Sequence, residues 1–318
     1  MENTLVHSSM LIDKIIKEKG KDFGFIQSVN PLFLENCHQT SFSWTKNSNS
    51  ICLAMGKDYL KMAMDNPNVQ GIITSPKVIA RENIDIPKAF LILDLPDQFF
   101  YYLHNCKIHE QFHVPKFVPY IDPSAQISPR AIVSPQVYIG AGTVIHDGAI
   151  VLDNSIIGNN CTIFHNVTIG TIGFFSKHVL GNKIQIQHFG GVKLGENCIV
   201  HTGCNISRSV NFSEYTQLGN NTHVGIHTNI AHDCQIGENC DISSKVCLAG
   251  RVKIGDNVWI GASATISNNI FIDDNANIKI GSVVISDVLK GDVVSGNFAV
   301  NHRKNMRVFL SNAKDANT

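Results

Sequence analysis

Every sixth residue is aliphatic along most of this chain, and that spacing leaves few folds open. From Ile121 the series runs through Ile127, Val133, Ile139, Ile145, Val151, Ile157 and Ile163 to Ile169, breaks, and resumes at Leu194. It continues through Val200, Ile206, Phe212, Leu218, Val224, Ile230, Ile236, Ile242, Leu248, Ile254, Ile260, Ile266, Ile272 and Ile278 and ends near Val284. A period of six fits neither the 3.6 of a helix nor the 2 of a half-buried strand. It fits a triangular solenoid in which each hexad gives one short strand and one corner, three hexads to a coil. Residues eighteen apart are then vertical neighbours, with coils about 4.8 Å apart.

The rest of the hexad agrees. Gly follows the aliphatic residue at Gly140, Gly158, Gly170, Gly195, Gly219, Gly225, Gly237, Gly255 and Gly261, and Asn stands three places after it at Asn160, Asn197, Asn221, Asn239, Asn257 and Asn275. Both residue types tolerate left-handed backbone angles, which assigns them to the corners. Cys161, Cys198, Cys204, Cys234 and Cys240 all lie four residues after a core aliphatic, and the sequence has no CxxC pair. They read as reduced packing residues rather than disulfides or metal ligands.

Charge excludes some partners. Lys plus Arg and Asp plus Glu both number 26, so no basic field points to nucleic acid. No stretch approaches a membrane span, and the charged N-terminus lacks a signal-peptide core, so a cytoplasmic protein is expected. The hexad is absent from residues 1–112, which read as an α/β domain. Helices are expected over 58–66 and 96–106 and buried strands over 69–74 and 89–93. The Pro-containing HVPKFVP at 113–119 opens a β-helix domain over 113–290, interrupted by a loop after Ile169; 291–318 read as a tail with one short helix from Asn301.

The period together with NIAHDCQIGENC at 229–240, LAGRVKIGDN at 248–257 and SGNFAVNHRKNMR at 295–307 resembles the hexapeptide-repeat acyltransferases. Within them it is similar to the UDP-3-O-acylglucosamine N-acyltransferase family of the lipid A pathway. SFSW at 41–44 and VQGIITSPKVIA at 69–80 carry a looser likeness in the N-terminal half. The resemblance implies a left-handed parallel β-helix, a homotrimer, and an active site between neighbouring prisms. It implies no permanently bound cofactor, with an acyl thioester as co-substrate.

Acyl transfer to an amine needs a base and donors placed where the carbonyl oxygen gains charge. His232 in IAHDCQIG stands on the outer wall, because Ile230 is its inward neighbour, and the resemblance makes it the base, with Asp233 able to orient it. Gly250, one coil on, is the candidate that lets a thioester approach the backbone and gives an N–H to the oxyanion. The family's second active-site His, from an AGH motif, is replaced by Asn269 in ISNNIF, and its Gly-Phe-Gly-Phe loop by IGFF at 172–175. Phe42 and Trp44 fall where the family clamps a nucleotide base, although Lys46, Asn47 and Ser48 stand where its Asn-Pro-Lys-Tyr would follow. Aromatic core is the competing reading for both. His227 is a further substrate-binding candidate. With His232 it also spells H-x4-H, the kind of pair that binds zinc in the gamma-class carbonic anhydrases, but the register there would need Gly237 to be His.

The family's long C-terminal helix for acyl carrier protein has no counterpart after Leu310, whereas Arg303 and Lys304 offer charges for the phosphates of coenzyme A. The expected activity is N-acylation of a nucleotide-linked deoxyamino sugar from acyl-CoA, for surface polysaccharide. A carrier-protein-dependent lipid A enzyme is the alternative. A zinc hydratase and a non-enzymatic trimeric scaffold are the alternatives of another class.

Overall fold

The computed structural model describes residues 8–79, 86–106 and 117–296, together with Arg303, Lys304, Met306 and Arg307. The chain is mainly β: parallel strands stack into a left-handed β-helix of hexapeptide repeats, with an α/β unit before it.

In the first unit, strands β1 (Phe25–Val29), β2 (Gln39–Ser41), β3 (Ser50–Ala54), β4 (Val69–Thr74) and β5 (Ala89–Leu93) form one sheet in the order β1-β5-β4-β3-β2. Only β1 runs antiparallel to its neighbour. Helices α1 (Ser8–Lys19), α2 (Lys57–Asp65), α3 (Pro76–Ile79) and α4 (Pro96–Asn105) accompany it. The expected strands 69–74 and 89–93 match, and the two expected helices match to within a residue at each end. Three strands and the helices α1 and α3 went unread; β2, for instance, is wholly buried but polar (Gln39, Thr40, Ser41) and carries no apolar run.

The prism has three faces of eight, nine and eight strands, each strand two to four residues long. Its core is the hexad aliphatics from Ile139 onward, stacked in register and buried, with Cys161, Cys198, Cys204, Cys234 and Cys240 among them. In the first coil Ile127 and Val133 are only partly buried and Ile121 is 45% exposed, because among the described residues no coil lies beneath them. The series also runs past Val284: Val288 bridges Ile272, and Val293–Val294 pairs with Asn277–Ile278. The four described tail residues are helical and exposed, and the rest of the expected helix lies outside the described residues.

The structure corrects the reading of the corners. Asn160, Asn197, Asn221, Asn239, Asn257 and Asn275 do have φ between 54° and 59°. Their amides also bond between coils, Asn197 to Asn221 at 3.1 Å and Asn221 to Asn239 at 3.2 Å. Of the glycines that follow the aliphatic residue, only Gly170 has a positive φ. The others are required by proximity: a Cβ on Gly158 would stand 2.4 Å from Gly195 O, and one on Gly219 2.5 Å from the Gly237 carbonyl carbon. Coils in contact at this edge leave no room for a side chain.

It also corrects the ladder. Vertical neighbours are eighteen residues apart at Leu218 and Ile236 but thirty-seven at Ile157 and Leu194 and twenty-four at Leu194 and Leu218. The first excess is the expected loop, which holds a hairpin of Ser176–Val179 and Asn182–Gln185. The second is a whole hexad around Phe212 that leaves the wall, so Phe212 is not the inward residue of a rung. Both excursions meet the α/β unit. Val179, Ile186 and Val210 share a buried cluster with Phe99, Phe100 and Leu103 of α4, and Thr45 donates to Glu214 at 2.9 Å.

Candidate active site

The two excursions and one prism edge enclose His232. This edge carries the chain from the third face (Asn229–Ile230, Cys247–Leu248) to the first (Gln235–Ile236, Lys253–Ile254), so residues at equivalent corner places stack. His232 and Gly250 occupy one column; Asp233, Arg251 and Asn269 occupy the next, all three with φ near 60°.

His232 is 8% exposed, and its Nδ1 lies 2.7 Å from Asp233 Oδ2. A carboxylate only accepts, so Nδ1 carries the hydrogen and Nε2 keeps its lone pair. Asp233 is fixed on its other side by the Ser209 hydroxyl and by the Val210 N–H at 3.0 Å, both from the displaced hexad. Burial alone would raise the Asp233 pKa, but the His232 bond and charge, the Ser209 bond and the Arg251 charge outweigh it and hold the carboxyl below its usual range. The left-handed turn at Asp233 swings this side chain back beside its sequence neighbour.

Gly250 makes room for the His232 ring. A Cβ there would lie 2.6 Å from His232 Cε1 and 2.8 Å from Nε2. Phe175 of IGFF stacks on the imidazole, with centroids 5.3 Å apart and planes at 19°. His188, from the end of the same loop, meets the imidazole edge to face at 5.3 Å and 86°. His188 is buried and its Nε2 has no hydrogen-bond partner among the described residues, an arrangement that costs about 1–3 kcal/mol. Nothing in the repeat pointed to His188, which lies outside it.

Beside this pair a cleft separates the α/β unit from the prism. Phe42 and Trp44 form one wall, stacked on each other at 4.8 Å, and Arg251 and Asn269 form the other. The Arg251 guanidinium lies 5.0 Å from the Phe42 ring centre, and Lys253 Nζ lies 5.3 Å from that of Trp44. The structure therefore brings together His232, Asp233, Gly250, Asn269, Phe42 and Trp44. His227 is elsewhere: it turns the corner between the second and third faces, packed over Gly203, on a different edge from His232. Among the described residues no three His, Cys, Asp or Glu side chains gather as a metal site. Arg303 and Lys304 are exposed.

The family description bacterial transferase hexapeptide (six repeats) matches residues 215–250, and hexapeptide repeat of succinyl-transferase matches 136–165 and 251–286. The matched coils are hexapeptide repeats. No curated protein matches the chain. Among solved structures it is similar to the UDP-N-acetylglucosamine O-acyltransferase of Moraxella catarrhalis, at 27% identity over 59% of this chain and 74% of that one, with a TM-score of 0.46. LpxA from Acinetobacter baumannii gives 27% identity over 59% and 76%, with a TM-score of 0.45. The acetyltransferase domain of PglB from Neisseria gonorrhoeae gives 16% over 79% and 85%, with a TM-score of 0.24. The matched hexapeptide repeats span His232 and Gly250.

Proposed function

We propose that this chain is an N-acyltransferase that moves an acyl group from a thioester, in first place acyl-CoA, to the amine of a nucleotide-linked deoxyamino sugar. The observation that carries the reading is the His232–Asp233 pair, a buried imidazole with its Nε2 lone pair beside a side-chain-free backbone at Gly250. The amine nitrogen attacks the thioester carbon while His232 Nε2 takes the amine proton. The C–S bond then breaks and the departing thiolate receives that proton. Asp233 steadies the imidazolium formed in between, and the Gly250 N–H is the donor we assign to the carbonyl oxygen as it gains charge.

The cleft supports a nucleotide-sugar acceptor. Phe42 and Trp44 offer stacking area, and Arg251, Lys253 and Lys46 offer cations beside it. A homotrimer would set a neighbouring prism against this edge, and the Arg303–Lys304 tail would meet the phosphates of coenzyme A. The test is thiol release from acetyl-CoA with UDP- and dTDP-linked amino sugars. His232→Ala should lower turnover by roughly 10²- to 10⁴-fold. A variant with unchanged turnover refutes the assignment of the base, and a wild type that acts only with acylated carrier protein refutes the CoA donor.

A further inference from the structure

His188 is buried against His232 and has no part in the proposed acyl transfer. His188 Nδ1 lies 2.9 Å from Ile186 O, and a carbonyl only accepts, so that nitrogen carries the ring hydrogen. Nε2 is left as a lone pair, and among the described residues nothing donates to it. Burial first, and the adjacent His232 second, push the His188 pKa down to about 4, which keeps the ring uncharged at neutral pH. Both imidazole edges converge on Gly173, where a Cβ would stand 3.1 Å from His188 Nε2 and 3.1 Å from His232 Cδ2. His232 has likewise committed its Nδ1 hydrogen to Asp233. The site thus holds two adjacent imidazoles, each with an accepting nitrogen to which no described residue donates.

We propose that His188 is the second hydrogen-bond acceptor for the incoming nucleophile, so that the site selects a primary amine over a hydroxyl. An amine has two hydrogens. It gives one to His232 Nε2, the one that leaves, and the other to His188 Nε2, and its lone pair is then the remaining direction, free to face the thioester carbon. A hydroxyl has one hydrogen and leaves one buried nitrogen unmatched, the situation in which polar sites discriminate most strongly. Gly173 covers His188 Nε2 with backbone alone, between Ile172 and Phe174, which are 58% and 91% exposed, and Gln185 Nε2 holds its carbonyl at 3.1 Å. For an amine to reach the nitrogen this turn has to lift and release the Gln185 bond, and that movement is part of the proposal. The inference rests on the N-acyl reading and names the group that would enforce it.

The experiment compares His188→Phe, which keeps a flat ring without the acceptor, with His188→Gln, whose amide oxygen can accept. Thiol release from acetyl-CoA is followed with UDP- and dTDP-linked hexoses bearing an amine at C2, C3 or C4, each beside its hydroxyl counterpart. His188→Phe is expected to lower kcat/KM for the amine by about 5- to 150-fold and leave the hydroxyl rate nearly unchanged, so the preference collapses, while His188→Gln restores most of it. A Phe variant that keeps the preference, or that lowers both rates by one factor, overturns the inference. Should the Phe variant fail to fold, nitrogen NMR of the wild-type imidazoles decides: a His188 Nε2 resonance that does not move on saturation with a reacting amino sugar also overturns it. A wild type that acylates only hydroxyl sugars, or none, overturns the N-acyl reading and this inference together, whereas the variants bear on His188 alone.

Discussion

Replacing Asp233 by Asn should disable the base while leaving its position intact. The Asp233 carboxylate has two occupied sides: Oδ1 accepts from Ser209 and from the Val210 N–H at 3.0 Å, and Oδ2 faces His232 Nδ1 at 2.7 Å. The Val210 amide can only donate, so Asn must turn its oxygen there and its NH2 toward His232. His232 Nδ1 then has to accept, which moves the ring hydrogen to Nε2 and removes the lone pair that takes the proton. Backbone strain does not complicate the comparison, since φ at Asp233 is 63° and Asn tolerates that region as well as Asp. The loss of charge-assisted bonds should cost about 1–3 kcal/mol of stability, and the lost base roughly 10²- to 10⁴-fold in kcat/KM. Thiol-release kinetics measure the second, and nitrogen NMR of the imidazoles reads the tautomer. An Asn variant within about threefold of wild type, with Nδ1 still protonated, would refute the reasoning.

Other outcomes follow from the same geometry. Gly250→Ala should displace the His232 ring, because the new Cβ would lie 2.6 Å from Cε1; about 1–3 kcal/mol of stability and most turnover should go together, and unchanged kinetics would show that the ring has room. His104 and His188 both have pKa values lowered from 6.5 to about 4, chiefly by burial, so the unfolded chain takes up protons that the native one refuses. Stability should be full above about pH 6.5 and fall toward pH 4 by about 3 kcal/mol for each ring, and equal urea midpoints at pH 7 and pH 4.5 would contradict this. Changing Cys161, Cys198 and Cys204 to Ala should cost about 1 kcal/mol each or less and keep turnover; a folded but inactive triple variant would give these thiols a role beyond packing. Coenzyme A should raise the Tm, and Arg303→Ala with Lys304→Ala should weaken its binding and reduce its salt dependence; calorimetry at two ionic strengths checks both.

The rungs were legible because an aliphatic every six residues is a direct imprint of the inward face. The six corner asparagines were legible for the same reason, since a left-handed turn at every third place after that aliphatic suits Asn. What the period could not report is where a hexad leaves the wall. Phe212 keeps the spacing, yet its hexad lies outside the stack, and the residues that fix Asp233, Ser209 and Val210, come from that departure. The glycines at the aliphatic-plus-one place were legible as constrained but for another cause, contact between coils rather than backbone angle. His232, Asp233 and Gly250 follow from the motif and the stacking together. His188 does not, because its neighbours are set by how the loop docks on α4 rather than by the repeat.

The displaced hexad separates two things that most folds entangle. It leaves the stack after Ser207 and rejoins it at Tyr215, and the coils on either side stay in register, offset by twenty-four residues instead of eighteen. Excising one unit of six would restore the plain pitch and a complete prism, yet it would strip Asp233 of both anchors and free the α/β unit from one of its attachments. The pitch of the coils and the fixing of Asp233 are therefore set by different parts of one chain, the regular rungs for the first and a single unit that has left them for the second.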